Sequence, residues 1–493
     1  MPLTLRAVIR HRSAADGERP YLEDARSERV VTARALDDAV AAWARVFEEL
    51  DIGPSGAVLV DVGDPVAFAV VHLAAIATGR RSVPVDTGQP PTEPARLAAL
   101  LGGAALVVSD RDVDVAVDGA AAARVDEAGL PVAVRAGDAP VAAPDALPEG
   151  SVVLFTSGST GTPKGVELPE SQLLVVASAV AGHNALTEHD RGFNALPLFH
   201  VNAEVVGLLA TLVSGATLVL DRRFRRTGFW ELLAERRVTW VNAVPAMLAV
   251  LAKTGQVAFP ATVRFVRSAS APLPEAVRQS LGDVPLVVSW GMTEGASQIT
   301  ATPLGAPSRA GSVGVPVGTE VEVRGDDGAV LPPGVLGALW VRGPGIVRSY
   351  LHGRAAERFD AERWLSTGDL GSVSGDGWVT LVGRSDDVIN RGGEKVHPAE
   401  VEDVLLRDPR VLEAVVVGRP DDVLGHVPVA YVVLQPDVAA AAGDAVVADL
   451  SALAASELAR ARRPVTITVV PDLPRAPTGK VQRARVRAMA GAR

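Results

Sequence analysis

The chain has 493 residues, 48% of them hydrophobic, enough apolar surface for on the order of two to four domains with cores of their own. Its 48 basic residues stand against 58 acidic ones, a net charge of -10, which excludes a global field for nucleic acid or an anionic membrane and makes any anion site local. It contains no cysteine, which excludes disulfides, thiolate nucleophiles and Cys-ligated metals. With no apolar leader in MPLTLRAVIRHRSAADG and no uncharged run of roughly 18 residues, the sequence points to a cytoplasmic protein.

In chain order, ARALDDAVAAWARVFEEL (33–50) reads as an amphipathic helix, and GAVLVDVG (56–63) and ALVVSD (105–110) read as buried strands. Residues 111–150 are poor in large apolar side chains and read as an irregular surface excursion. SVVLF (151–155) is a buried strand, ESQLLVVASAVAG (170–182) a helix, and VTWVNAV (238–244) and PLVVSWG (285–291) further strands. Alternation of this kind argues for an α/β fold with largely parallel sheets. After about residue 310 short strands and turn signals take over, as in VEVRGDDGAVLPPGVLGALWVRG (321–343), which predicts a β-rich subdomain over about 310–383. Glycine and charge interrupt the apolar pattern at GRSDDVINRGGEK (383–395). The boundary falls there: a large domain over 1–383, then a small α+β domain over 384–493 with a helix in HPAEVEDVLLRD and strands in EAVVVGRP and VAYVVLQP.

Three stretches carry more chemistry than structure. LFTSGSTGTPKG (154–165) packs three glycines, five hydroxyls and Lys164 behind a strand, a set of small donors suited to a polyanion, with phosphate the obvious guest. It is not a Walker A loop, because Pro163 stands where that motif needs its second glycine and Gly165 where it needs a hydroxyl. Placed between strand 151–155 and helix 170–182, it would lie at the helix N-terminus. SWGMTEG (289–295) offers Trp290 to stack on a base, Thr293 to bond a phosphate oxygen and Glu294 to hold Mg²⁺. LSTGDLG (365–371) offers Asp369 to the paired hydroxyls of a ribose.

Together these stretches resemble the signature set of the adenylate-forming (AMP-binding) superfamily of acyl-CoA synthetases, luciferases and peptide-synthetase adenylation domains. TSGSTGTPKG matches its phosphate loop, WGMTE its adenine and Mg²⁺ segment, STGD its ribose segment, GRSDDVINRGGEKVHPAEVE (383–402) its hinge, and LPRAPTGKVQR (473–483) its catalytic-lysine segment. Order and spacing agree over essentially the whole chain. The resemblance implies a large N-terminal domain of stacked α/β subdomains followed by a small mobile domain. It implies that Thr156, Ser157, Gly158, Ser159, Thr160, Gly161 and Lys164 hold ATP phosphates, with Thr160 and Glu294 on Mg²⁺. Ser268, Ala269, Ser270, Trp290, Gly291 and Met292 would line the adenine and acyl sites, Asp369 and Arg384 would hold ribose, and Asp386 would be the hinge. Trp290 departs from the family's usual Tyr, and Ala269 from a common glycine, which would narrow the pocket. Lys480 would stabilise the developing charge as a carboxylate attacks the α-phosphorus; Thr293, Glu294 and His200 complete the catalytic set, His200 as a gate. Gly392 and Gly393 would leave room for the pantetheine arm of CoA.

The function so implied is ATP-dependent formation of an acyl adenylate with release of pyrophosphate, then transfer to CoA with release of AMP. PLFHVN and RFRRTGFWELLAERRVTWVNAVP look most like the oxalate, carnitine and medium-chain acid:CoA ligase branch. The alternative keeps adenylation but uses a carrier-protein thiol or an amine as acceptor, or activates a non-carboxylate oxyanion. Asn202, Glu204, Asn242, Val288 and Gln298 are the candidate substrate pocket, polar enough for a short or functionalised acid. If Glu204 faces that pocket, it favours an acid bearing an amino or hydroxyl group and disfavours dicarboxylates.

Overall fold

The computed structural model describes residues 4–111, 117–137, 147, 149–156, 164–252, 259–307, 309, 311–435, 438, 443–475 and 481–491. Two sheets built mainly of parallel strands form the bulk of the chain. In the first, nine strands run in the order Val315–Pro316, Thr300–Ala301, Leu286–Trp290, Phe265–Ser268, Trp240–Ala243, Arg191–Asn194, Thr217–Leu220, Pro20–Asp24, Val30–Thr32. The six from Leu286–Trp290 to Pro20–Asp24 pair in parallel. Parallel neighbours need crossovers, and the helices Phe229–Glu235 and Pro245–Ala252 supply them. In register, Asn194, Asn242 and Arg267 stand side by side near the carboxyl ends of three adjacent strands. The loops that follow these strands therefore gather at one edge of the sheet, where open α/β sheets bind ligands.

The second sheet has seven strands in the order Pro131–Arg135, Ala121–Val125, Leu106–Ser109, Ala57–Asp61, Arg81–Pro84, Ser151–Thr156, Lys164–Pro169. Helix Pro65–Ala77, PVAFAVVHLAAIA, is apolar all round except for His72, and that pattern suits a helix buried on every side. Asp64 caps it, accepting from the backbone N–H of Val66 and Ala67.

Two expectations change here. Residues 111–150 are not wholly irregular: Ala121–Val125 and Pro131–Arg135 form a hairpin that extends the sheet, because an Ala-rich run can still complete a backbone ladder without large side chains. The donor-rich loop after Ser151–Thr156 leads into a second strand, Lys164–Pro169, before helix Glu170–His183 begins. KGVELP pairs residue by residue with SVVLFT, so it is this strand that directly precedes the helix N-terminus.

Beyond these sheets, Glu320–Arg324, Gly337–Arg342, Leu365–Val373 and Val379–Arg384 make a four-stranded antiparallel sheet, the β-rich subdomain. From Ile389 onward a separate five-stranded sheet carries helices Pro398–Leu405 and Gly443–Glu457 over its own apolar core. The fold is thus a large α/β unit followed by a small α+β one. Among the described residues no helix is long and apolar enough to cross a membrane.

Candidate active site

On the nucleotide side, Thr156 and Lys164 close the described ends of the hairpin, paired in register, with the Lys164 ammonium 5.8 Å from the Tyr350 ring centroid. Ser157, Gly158, Ser159, Thr160 and Gly161 lie outside the described residues. The Trp290 indole donates from Nε1 to Asp369 Oδ2 at 2.9 Å, and Arg384 Nη1 stands 3.3 Å from Asp369 Oδ1. Three residues far apart in sequence thus meet, because Asp369 and Arg384 are register partners on adjacent strands. Gly368, at φ +76°, keeps this corner open: a side chain there would press on Arg384 at 2.8 Å. Gly291 is fixed by sterics, since any Cβ would lie 1.3 Å from the Ser297 carbonyl oxygen.

Thr293 opens a short 3₁₀ turn with Glu294 buried at its centre. Glu294 Oε1 accepts from Tyr350 and from Arg358 Nη1 at 2.9 Å. Burial, and then the adjoining carboxylate, push the Tyr350 phenol up, so it stays protonated and donates. The carboxylate is therefore oriented before any ligand arrives. With ATP bound, Glu294 would offer one carboxylate to the Mg²⁺ that the triphosphate brings; among the described residues there is no cluster of three His, Asp or Glu side chains that could hold a metal ion.

On the acid side the sequence reading missed the central residue. Arg267, on strand Phe265–Ser268, is fully buried. Its Nη1 donates to Asn202 Oδ1 at 2.8 Å and Asn242 Oδ1 at 3.2 Å, Nη2 to Ser289 Oγ at 2.9 Å, and Nε to Gln298 Oε1 at 3.3 Å. Asn242 passes the network on to Asn194 at 3.1 Å, and Asn202 to Ser270 at 3.2 Å. Three of the expected pocket residues, Asn202, Asn242 and Gln298, thus come together around a cation none of them announced. The one available signal was a charge inside the short parallel strand FVRS. Val288 is half-buried on the neighbouring strand, and Ser268 and Ala269 are buried. The His200 ring lies against Phe199, tilted by 55° with ring centroids 4.6 Å apart. Burial pulls its imidazole down to about 4, so it is neutral at neutral pH, and its Nε2 meets no partner among the described residues.

Glu204 does not belong to this pocket, and the expectation that it reads the substrate is corrected. Asn202–Leu209 winds as a π-helix, and its two residues Asn202 and Glu204 serve opposite sides. Glu204 Oε1 lies 3.1 Å from His72 Nε2, and His72 Nδ1 lies 2.7 Å from Ser82 Oγ. All three side chains are buried between the helix Pro65–Ala77 and the π-helix. A carboxylate on an apolar face needed a partner, and the lone polar residue of the buried helix supplies it. The inferred preference for amino or hydroxy acids, and the bias against dicarboxylates, fall with it.

In the small unit, Gly392 and Gly393 have φ of +59° and +93° at the tip of the hairpin Ile389–Arg391 to Glu394–Val396, a turn that requires glycine. Asp386 lies exposed in a one-turn 3₁₀ segment between the two units. Lys480 lies outside the described residues; the flanking Arg475 and Val481 pair as an isolated bridge.

Comparison with known proteins agrees with this layout. The family model for the AMP-binding enzyme matches residues 9–351, and that for the AMP-binding enzyme C-terminal domain matches residues 400–480. The chain is 35% identical to sulfoacetate–CoA ligase of Cupriavidus necator, over 98% of this chain and 97% of that protein. It is 33% identical to oxalate–CoA ligase of Arabidopsis thaliana over 68% of this chain and 66% of that one. The o-succinylbenzoate CoA synthetase of Bacillus subtilis, solved with its acyl-adenylate intermediate, superposes with a TM-score of 0.82 at 27% identity, over 97% of each chain. The chain belongs to the AMP-binding enzyme family and is of its acyl-CoA synthetase type.

Proposed function

We propose that this ligase acts on a small polar carboxylic acid, and that acid and ATP meet at the carboxyl edge of the nine-stranded sheet. The enzyme activates a carboxylic acid with ATP to an acyl adenylate, releasing pyrophosphate, and transfers the acyl group to the thiol of CoA. The observation that carries the placement is the contact among Trp290, Asp369 and Arg384, which joins the adenine and ribose segments in one corner. Named relatives act on sulfoacetate, oxalate and 2-succinylbenzoate, all polar acids, which supports a polar substrate over a plain fatty acid.

The chemistry sets an anion against an anion. The acid's carboxylate attacks the α-phosphorus of MgATP, and positive charge must offset what builds up there. Glu294, held by Arg358 and Tyr350, and Thr160 would contact the ion that ATP brings; Lys164 would meet the outer phosphates and Lys480 the reacting centre. Neutral His200 would gate the path between acid and thiol without adding charge. Between half-reactions the small unit, taken as residues 384–493, would turn about Asp386 and bring the side-chain-free Gly392–Gly393 turn toward the pantetheine arm. Reliance on ATP and CoA supports a cytoplasmic location.

The test is ATP–pyrophosphate exchange over a panel of short acids, followed by AMP release with and without CoA. Lys480→Ala should lower adenylation by on the order of 100- to 1000-fold while thioester formation from a preformed acyl adenylate is retained. Equal loss of both half-reactions would remove Lys480 from its place. If an activated acid releases no extra AMP with CoA, the acceptor is instead a carrier-protein thiol or an amine.

A further inference from the structure

Arg267 is a buried cation without an anion. A guanidinium carries five N–H groups, and here four are taken by two Asn oxygens, one Gln oxygen and one Ser hydroxyl, all neutral. Among the described residues no carboxylate lies within ion-pair distance of it. Other buried arginines of this chain are finished differently. Arg81 is held by both oxygens of Glu167, at 2.7 and 2.9 Å. Arg12 spends its donors on backbone carbonyls, Thr211 O and Leu212 O among them at a helix C-terminus, and lies over the Tyr21 ring. Arg267 has neither a carboxylate nor a helix end.

A second observation points the same way. Gln298 gives its oxygen to Arg267, yet its buried Nε2 has no partner among the described residues. One cluster thus holds an unneutralised charge, a spare N–H on Arg267 Nη2 and a spare amide N–H on Gln298. Both donors suit the oxygens of a carboxylate or sulfonate. Desolvation pulls the guanidinium down only to about 9, so it remains charged at neutral pH. A buried charge left unpaired is costly, and the cost is offset when a ligand supplies the opposite sign. Arg267 immediately precedes the Ser268–Ser270 segment, so only a few carbons would separate such a group from the reacting carboxylate.

We propose that Arg267 is the counter-ion for a second anionic group of the substrate, so that the enzyme selects short acids carrying a further carboxylate or sulfonate beside the carboxylate that is adenylated. This rests on the acid site described above and names the class of acid it takes. Arg267 acts on specificity, with Asn202, Asn242, Ser289 and Gln298 holding its plane.

The experiment compares acids of equal length in pyrophosphate exchange: malonate and succinate, each against its monoamide, and a sulfonate-bearing acid of matching length. The wild-type kcat/KM should favour the dianion by on the order of 100-fold. Arg267→Gln should bring the ratio close to one with the KM for ATP unchanged, and Arg267→Lys should keep part of it. Asn202→Asp, nearly isosteric, places a carboxylate on Arg267 and should also erase the preference, which decides the matter if Arg267→Gln does not fold. The sulfonate arm tells which oxyanion fits better. Exchange with no acid at all would overturn the ligase reading itself. Exchange that runs equally well with monoamides, or a preference that survives both Arg267→Gln and Asn202→Asp, would overturn the role of Arg267 alone.

Discussion

Two buried charges lie close together in this chain, and they are finished in opposite ways. Glu204 meets the His72 imidazole at 3.1 Å, a partner supplied by the buried helix of the same fold. Arg267, which shares the network of Asn202 two residues before Glu204, meets only neutral dipoles. Burial alone therefore does not tell a structural charge from a recognition charge. The difference lies in whether an ionisable partner is already inside the molecule.

The comparison is tested most severely by Glu204→Ala. It leaves His72 Nε2 without its partner and should lower stability by about 3–5 kcal/mol in urea unfolding, while the ratio of dianionic to neutral acids in kcat/KM stays as in the wild type. A shift in that ratio would mean the two clusters are one. Next in size is the acid limb of stability. His200 titrates near 4 in the folded chain, below the ordinary histidine value of about 6.5, so the unfolded chain binds its proton first as pH falls. Stability should fall between pH about 6.5 and 4 by about 3 kcal/mol more in the wild type than in His200→Gln, read from urea midpoints at both ends of that window. Equal slopes would show that His200 is not held neutral by burial. The smallest effect is expected at the nucleotide corner, where Trp290→Phe keeps a flat ring but removes the N–H that Asp369 accepts. A loss of about 1 kcal/mol corresponds to a KM for ATP raised about fivefold, with acid preference unmoved. An unchanged KM for ATP would show that the indole N–H does not help to position Asp369 for nucleotide.

What the sequence made legible was the chemistry carried by short, unusual strings. Trp290, Asp369 and Arg384 could be grouped because the short strings that carry them resemble a family's signature segments, and in the fold Asp369 meets both of the others. Arg267 escaped because it sits inside a strand, where a reader expects packing and where one charged letter among Phe, Val and Ser looks like an ordinary outward-facing residue. Glu204 was noticed for being a charge among apolar neighbours, but its direction depends on His72, 132 positions away, and no local pattern encodes that pairing. The strand Lys164–Pro169 was read as loop for a similar reason: its pairing with Ser151–Thr156 comes from a partner strand rather than from its own short run.

The π-helical turn at Asn202–Leu209 has a consequence for how such enzymes can change over time. Losing one residue from an ordinary helix turns everything beyond it by about 100°, and side chains that faced the core then face water. A wide turn already holds one residue more than a regular turn needs. A deletion within 203–208 can close the bulge while both flanks keep their register, so Leu212 stays in the core and the strand bearing Arg267 does not move. Descendants of this gene can therefore vary in length at this point while Asn202 keeps its place beside the guanidinium and the sheet beneath it is not rebuilt.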